Sequence, residues 1–363
     1  MRKHYIDNIR CTTILLVVLY HVIYMFNSII SEGVIGTITV FHGQDIIQYF
    51  LYPWFMVILF IISGMSAKYY LDAHNIGEFV RARTRKLLVP STIGLFVTGW
   101  IQGYYNMAIS GAFENMPANM SRFFMYLIMV VSGTGVLWTI QVMWILSMVL
   151  LVFRRFDSDK WKVQRESGTG IIWLLTVFLL LCYLSAQVFN TPIIPVYRFG
   201  IYGFSFFTGY FIFSNEKTVE ELKCFAIPLL ITAGILGIIY TVVYYGKNYA
   251  VGPTVNCPLA IAYAWIMCLA VLGSSKRWFD RKYDAIEFLK KRSFGLYVFH
   301  YLPLSACAYY LHTYTNLPGV ILYVLTAVAA FVGGLVLNEA VSRIPVVRWC
   351  SLGIRKERKN VLR

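Results

Sequence analysis

Runs of apolar residues about twenty long recur down the chain, divided by short polar stretches. Each is the length a helix needs to cross a hydrocarbon layer about 30 Å thick. They fall at roughly 9–30, 47–70, 87–109, 134–153, 170–188, 198–213, 224–245, 257–273, 294–312 and 319–341. The pattern predicts an all-α fold: a polytopic transmembrane bundle of about ten spans. The first run, from Ile9 to about Ile30, is too long for a signal-peptide core and no small-residue cleavage site follows it, so it is expected to remain as a helix. Phe123 to Val131 is apolar but too short to cross. It reads equally as a re-entrant or interfacial segment or as part of one long tilted helix. Ser132-Gly133-Thr134-Gly135 then breaks the chain before the fourth span. Lys276 to Arg292 mixes Trp278, Phe279, Phe288 and Leu289 with seven cations, the composition of an amphipathic interfacial helix.

Composition agrees with the pattern. The 363 residues are 58% hydrophobic and only 13% charged, about half the charge of an ordinary soluble domain. Residues 1–342 are expected to form one transmembrane domain, with 343–363 a basic cytoplasmic tail. The net charge of +15 raises nucleic acid as a partner, but the distribution removes it. Across the ten-span frame 29 of the 32 Lys and Arg fall on one side, leaving Arg122, Arg198 and Lys247 on the other. That asymmetry fits a multi-pass plasma-membrane protein with both termini cytoplasmic, and some attraction to anionic lipid. Seven cysteines show no CxxC, and neither they nor the six histidines suggest a metal site.

Ionisable residues inside spans are the candidates for chemistry. Arg10 and His21 stand eleven residues apart in the first span. In an α-helix that separation is about three turns, so both side chains lie on one face, roughly 16 Å apart along the axis. With Arg10 at one interface, His21 comes near mid-depth. A neutral imidazole there can take a proton from a hydroxyl, and the planar fork of Arg10 suits phosphate. The same spacing also suits a histidine bonded to a neighbouring helix and an arginine that anchors topology. His300 lies one to two turns inside the expected ninth span, where contact with a donor molecule and simple packing are both open. Arg198 opens the sixth span on the sparsely charged side and could face an anionic or sugar acceptor or anchor the interface. His42 and Asp45 stand outside the second span, and Trp138 is among the tryptophans able to stack on a sugar ring.

Several segments together resemble the membrane acyltransferase-3 family. Asp7, Arg10 and His21 match its acidic-x-x-Arg-x10-His opening, and Phe60-Ile61-Ile62-Ser63-Gly64-Met65 resembles its FxxSGF segment. Arg81, Arg85 and Pro90 resemble its basic run into the third span. Leu137-Trp138-Thr139-Ile140 resembles its LWxL start of the fourth, and Ser293 to His300 its SYGLYLxH block. The resemblance implies a membrane O-acyltransferase that moves an acyl group, most often acetyl, from cytoplasmic acyl-CoA to a hydroxyl of an extracytoplasmic glycan or glycolipid. Carried onto this chain, Arg10 and His21 would be essential, with Arg10 helping to hold the CoA phosphates or the acyl carrier end and His21 activating the acceptor. By charge and side of the membrane only, Arg81, Arg83 and Arg85 are candidates for the CoA phosphates; by position, His300 could contact the donor, and Arg198, Trp138 and Asp45 the acceptor. Acyl-CoA enters as co-substrate, with no bound cofactor implied. The Ser63-Gly64 turn would allow close helix approach. A Glu that many relatives carry after the LWxL block is absent, since Gln141 and Met143 stand there. The competing class is a transporter or flippase with Arg10 and His21 lining a substrate or proton path. Its expected mark, matching broken helices in two halves, is not clear in the sequence. Acceptor, acyl identity and oligomeric state are not legible.

Overall fold

The computed structural model describes residues 3–30, 33–38, 43–154, 168–191 and 194–355. The basic stretch 155–167, the chain beyond Arg355 and His42 lie outside them. The described residues are helical, with one isolated bridge between Asn190 and Arg198. Helix α1 (His4–Met25) is followed by α2 (Asp45–Leu51), α3 (Phe55–Ala73) and α4 (Ile76–Arg83). Next come α5 (Val89–Ser91), α6 (Trp100–Ile109), α7 (Arg122–Ser132) and α8 (Trp138–Arg154). The middle of the chain supplies α9 (Ile171–Leu175), α10 (Val177–Ala186), α11 (Phe199–Thr208), α12 (Glu216–Cys224) and α13 (Ala226–Tyr244). After these come α14 (Gly252–Val255), α15 (Pro258–Trp278), α16 (Asp284–Phe299) and α17 (Tyr301–Tyr314). The chain closes with α18 (Gly319–Val328), α19 (Gly334–Arg343) and α20 (Pro345–Leu352).

Among the described residues six helical stretches are long and apolar enough to cross a membrane: His4–Met25, Asp45–Ala73, Gly135–Arg154, Ala226–Tyr244, Pro258–Trp278 and Gly319–Arg343. The other four expected spans are shorter or interrupted. Pro90 removes the N–H that would close on the carbonyl of Lys86, and the chain there carries a wide π-type turn at Thr84–Leu88 and a break at Thr92. Another break at Thr176 divides α9 from α10, and a π-type turn at Gly209–Phe213 follows α11. Pro303 has no N–H to give the carbonyl of Phe299, and the helix divides at His300.

Helix α1 is central. It packs against α2, α3, α15, α16, α17 and α18, and Tyr5, Val18, Val22 and Met25 are fully buried. Its side chains are apolar around nearly the whole circumference, as a helix enclosed by neighbours requires. Beside it α3 and α11 meet at backbone distance. A Cβ on Gly64 would stand 1.9 Å from the carbonyl oxygen of Phe206, and one on Gly209 would stand 2.1 Å from that of Ile61. Ser63-Gly64 is therefore the middle of a continuous helix, not a turn, and its role in close approach is to lack a side chain.

The stretch 276–292 is exposed or half-exposed but is not one helix: α15 runs on to Trp278, and α16 starts at Asp284 and continues inward. In the basic stretch after 343, α20 docks on the third segment. It ends at Gly353, whose φ of 63° belongs to the left-handed region and whose Cα sits against the carbonyl of Arg85. An ionic clamp ties this end together, with Glu216 accepting from both Lys3 and Lys276, and Lys276 bonding Asp280 at 2.9 Å. Partial burial would raise the Glu216 carboxyl, but hydrogen bonds from Lys276 and Lys3 outweigh it and hold the group below its ordinary value.

Candidate active site: a histidine pair between two cavities

His21 projects from α1 opposite the break after α16, where it meets His300. His300 Nε2 lies 3.2 Å from His21 Nδ1. The protonation pattern follows from their other partners. His300 Nδ1 lies 2.9 Å from the carbonyl of Tyr297 and 3.1 Å from that of Leu296. Carbonyls only accept, so Nδ1 carries the proton and Nε2 offers a lone pair. His21 Nδ1 is 2.8 Å from the carbonyl of Val17, so it too is protonated, and its N–H is shared between Val17 O and His300 Nε2. The remaining nitrogen, His21 Nε2, is left with a free lone pair. Tyr20 and Tyr301 pack edge-on against the ring and hold its plane. A base oriented through its other nitrogen by a buried acceptor is the arrangement general-base catalysis needs.

His21 borders a cavity of about 410 Å3. Its walls are aromatic: Tyr20, Tyr24, Tyr52, Phe55, Trp138 and Tyr202 lie around it, with Asn106, Ser110 and Ser132 as polar points. Trp138 stacks obliquely on Tyr202, ring centres 5.4 Å apart. Ile30, Gly33 and Ala250 also line it, so it leads toward the loops at the end of the bundle away from the basic cluster.

A second cavity, of about 510 Å3, lies along the same stripe of α1 toward the basic end. Arg10, Arg83, Arg85 and Lys86 line it, with Ser63, Ser66 and Tyr70. Arg10 is held by Ser66 Oγ at 2.7 Å and by Asp7 at 3.5 Å, while Lys290 lies 3.5 Å from the other Asp7 oxygen. Arg83 donates weakly to Ser63 Oγ and O, and Arg85 Nε is buried without an acceptor. Among the described residues no carboxylate lies within ion-pair distance of Arg83, Arg85 or Lys86. Burial, then the charge of Arg10, push the Arg83 guanidinium down to about 10, and partial burial with the charges of Arg85, Arg10 and Arg83 lowers Lys86. Cations kept together against their own repulsion favour an anionic ligand.

Thr139 and Tyr297 line both cavities. Tyr297 donates its hydroxyl to the carbonyl of Val136, and Thr139 Oγ1 is buried with no hydrogen bond of normal length. The partition between the cationic and aromatic chambers is thus two side chains, one of them lightly held.

A family profile described as an acyltransferase domain matches residues 3–339. The chain is a member of the acyltransferase-3 family. No curated protein and no solved structure gives a significant match. The match covers the helices that carry Arg10, His21, the arginines of the third segment and His300, so this membrane acyltransferase holds its histidine pair and both chambers within the family domain.

The expected site residues divide by place. Arg10, Arg83 and Arg85 share the cationic chamber, and His21 and Trp138 the aromatic one. Arg81 is exposed and does not border the cavity. The π-type turn after Arg83 shifts the angular register, so Arg81 and Arg85 do not share a face as i,i+4 spacing in a regular helix would require. His300, for which donor contact and packing were both open, lies beside His21 at the end of α16, a helix that begins at Asp284 rather than at the expected 294. Asp45 is fully buried at the start of α2, bonded to the Ser28 hydroxyl and backbone, and does not line the aromatic chamber. Arg198 is 3% exposed and borders a separate hollow. The two chambers are also lined by residues the sequence reading did not propose for the site: Lys86, Thr139, Tyr297 and the tyrosines at 20, 24, 52, 202 and 301. Tyr20 and Tyr24 flank His21, and Tyr297 is one turn before His300; those offsets were the available signal.

Proposed function

We propose that this membrane acyltransferase is an O-acyltransferase of the plasma membrane, both termini cytoplasmic, that takes an acyl group from cytoplasmic acyl-CoA and places it on a hydroxyl of an extracytoplasmic glycan or glycolipid. The observation that carries this reading is the His21–His300 pair at the junction of a cationic and an aromatic chamber. Acyl-CoA lays its phosphates among Arg10, Arg83, Arg85 and Lys86 and extends the pantetheine arm past Thr139 and Tyr297. The acceptor enters the aromatic chamber, where Trp138 and Tyr202 offer flat apolar faces to a sugar ring. His21 Nε2 removes the hydroxyl proton as the oxygen attacks the thioester carbonyl. The C–O bond forms, the C–S bond breaks, and the proton passes from His21 to the departing thiolate, giving CoA and the ester. His21 stays in one tautomer because Val17 O and His300 Nε2 both hold its Nδ1–H. Among the described residues no serine or cysteine is hydrogen-bonded to either imidazole, which favours direct transfer over a covalent intermediate. Acetyl is the acyl group preferred on the family resemblance.

The donor half of this reading is tested by thermal unfolding of the purified protein with acetyl-CoA. A ligand that binds only the folded state at about 100 times its Kd stabilises by about 2.7 kcal/mol. The wild type is expected to show a saturable rise in melting temperature, and R83Q/R85Q to require at least about tenfold more acetyl-CoA for the same rise. A wild type unmoved by acetyl-CoA and by longer acyl-CoAs would overturn it.

A further inference from the structure

Arg198 is the cation that the donor chamber and the histidine pair leave unused. It caps the start of α11 and is 3% exposed. Its terminal nitrogen donates to Asn256 Oδ1 at 2.7 Å and to the carbonyl of Val255 at 3.4 Å, while Nε is buried with no acceptor. Among the described residues no carboxylate stands within ion-pair distance. A guanidinium this buried is normally paired, since an uncompensated interior charge is costly; neutral amide oxygens only partly replace an anion.

The surroundings indicate where that anion belongs. Arg198 lines a hollow of about 660 Å3 with Asn190, Thr191, Ala250 and Asn256. Ala250 also lines the aromatic chamber of His21, and the Arg198 guanidinium lies 6.0 Å from the ring centre of Tyr202, which walls that chamber. Outer hollow and catalytic chamber therefore adjoin across Ala250 and the Arg198–Tyr202 contact. On the sequence frame Arg198 is one of only three cations on this side, so its charge is not part of a general basic surface.

We propose that Arg198 is a specificity-determining residue that binds an anionic group, phosphate or carboxylate, on the acceptor, so that the acceptor is an acidic sugar or a sugar phosphate and not a neutral glycan. The proposal rests on the O-acyltransferase reading for the identity of the chamber. The oxyanion sits in the outer hollow against Arg198, and the attached ring reaches past Ala250 toward Trp138 and His21. The fork of the guanidinium, with Nε still free, matches a two-oxygen anion in a way a lysine ammonium would not.

The test is equilibrium binding, which needs no turnover. Glucose, glucuronate, glucose 1-phosphate and inorganic phosphate are titrated onto the purified wild type, R198Q, R198K and H21A. In the wild type at least one anionic sugar should bind at least tenfold tighter than glucose, about 1.4 kcal/mol, and tighter than inorganic phosphate. That preference should vanish in R198Q, return in part in R198K and survive in H21A. Equal binding of all three sugars by the wild type overturns the proposal whether or not the variants fold, as does a preference that persists in R198Q. Inorganic phosphate binding as tightly as glucose 1-phosphate would mark a free-anion site and also overturn it. The acetyl-CoA thermal shift, run on the same preparations, fails only if the transferase reading itself fails.

Discussion

The His21 ring is held at Nδ1 by two acceptor atoms, and His300 supplies one of them. Removing it leaves Val17 O as a partner for Nδ1–H but takes away the side chain against which the imidazolium is stabilised during proton transfer. H300A is expected to lower kcat about tenfold while leaving the KM for acetyl-CoA unchanged, and H300Q, whose amide oxygen can accept from His21, to recover part of the rate. Equal losses in H300A and H300Q, or a change confined to KM, would show that His300 only fills space. This pair also marks what the sequence could and could not supply at residue scale. Arg10 and His21 were legible because both lie on one helix, where spacing alone fixes their face. The partnership of His21 with His300 joins residues 279 positions apart, and no local periodicity encodes it. Asp45 shows the converse: its position beside a span suggested an accessible acid, whereas burial and the Ser28 bonds make it part of the scaffold.

At the scale of elements, the chambers depend on where helices touch and where they break. The α3–α11 contact at Gly64 and Gly209 brings Tyr202 and Trp138 in on one side of α1. Gly64→Ala would press a methyl group onto the Phe206 carbonyl, which a helix backbone cannot yield. We expect destabilisation of about 3 kcal/mol, seen as a lower melting temperature, with a fall in activity that follows the folded fraction. A G64A protein as stable as wild type would show that this crossing is loose. The breaks do the opposite job. At Pro90 and Pro303 the chain gives up regular helical bonding, and the turn at Thr84–Leu88 and the gap at His300 each deliver side chains to the site. Apolar run length revealed that helices exist there. It could not show where they are interrupted, because run length measures hydrophobicity and not continuity of the hydrogen-bond ladder. The misjudged start of α16 has the same origin. Its first turns are charged and exposed or half-exposed, so a hydropathy reading leaves them out of the span, and burial begins only at Ser293.

For the molecule as a whole, two chambers stand in sequence along α1: four cations around one cavity, then, behind a threonine–tyrosine partition, an aromatic chamber with His21 in its wall and a buried guanidinium beside it. On the proposed function donor binding and acceptor chemistry are separated along α1, so variants at the two ends should have separable effects. The double change R83Q/R85Q should act on donor affinity, and His21 on turnover alone. The most direct measurement is transfer of radiolabelled acetyl from acetyl-CoA to envelope glycans by membranes carrying wild type or H21A at equal protein level. Transfer should fall by at least about 10²-fold in H21A, while the purified variant keeps its acetyl-CoA thermal shift. An H21A protein that transfers acetyl at the wild-type rate would contradict the assignment of His21 as the base.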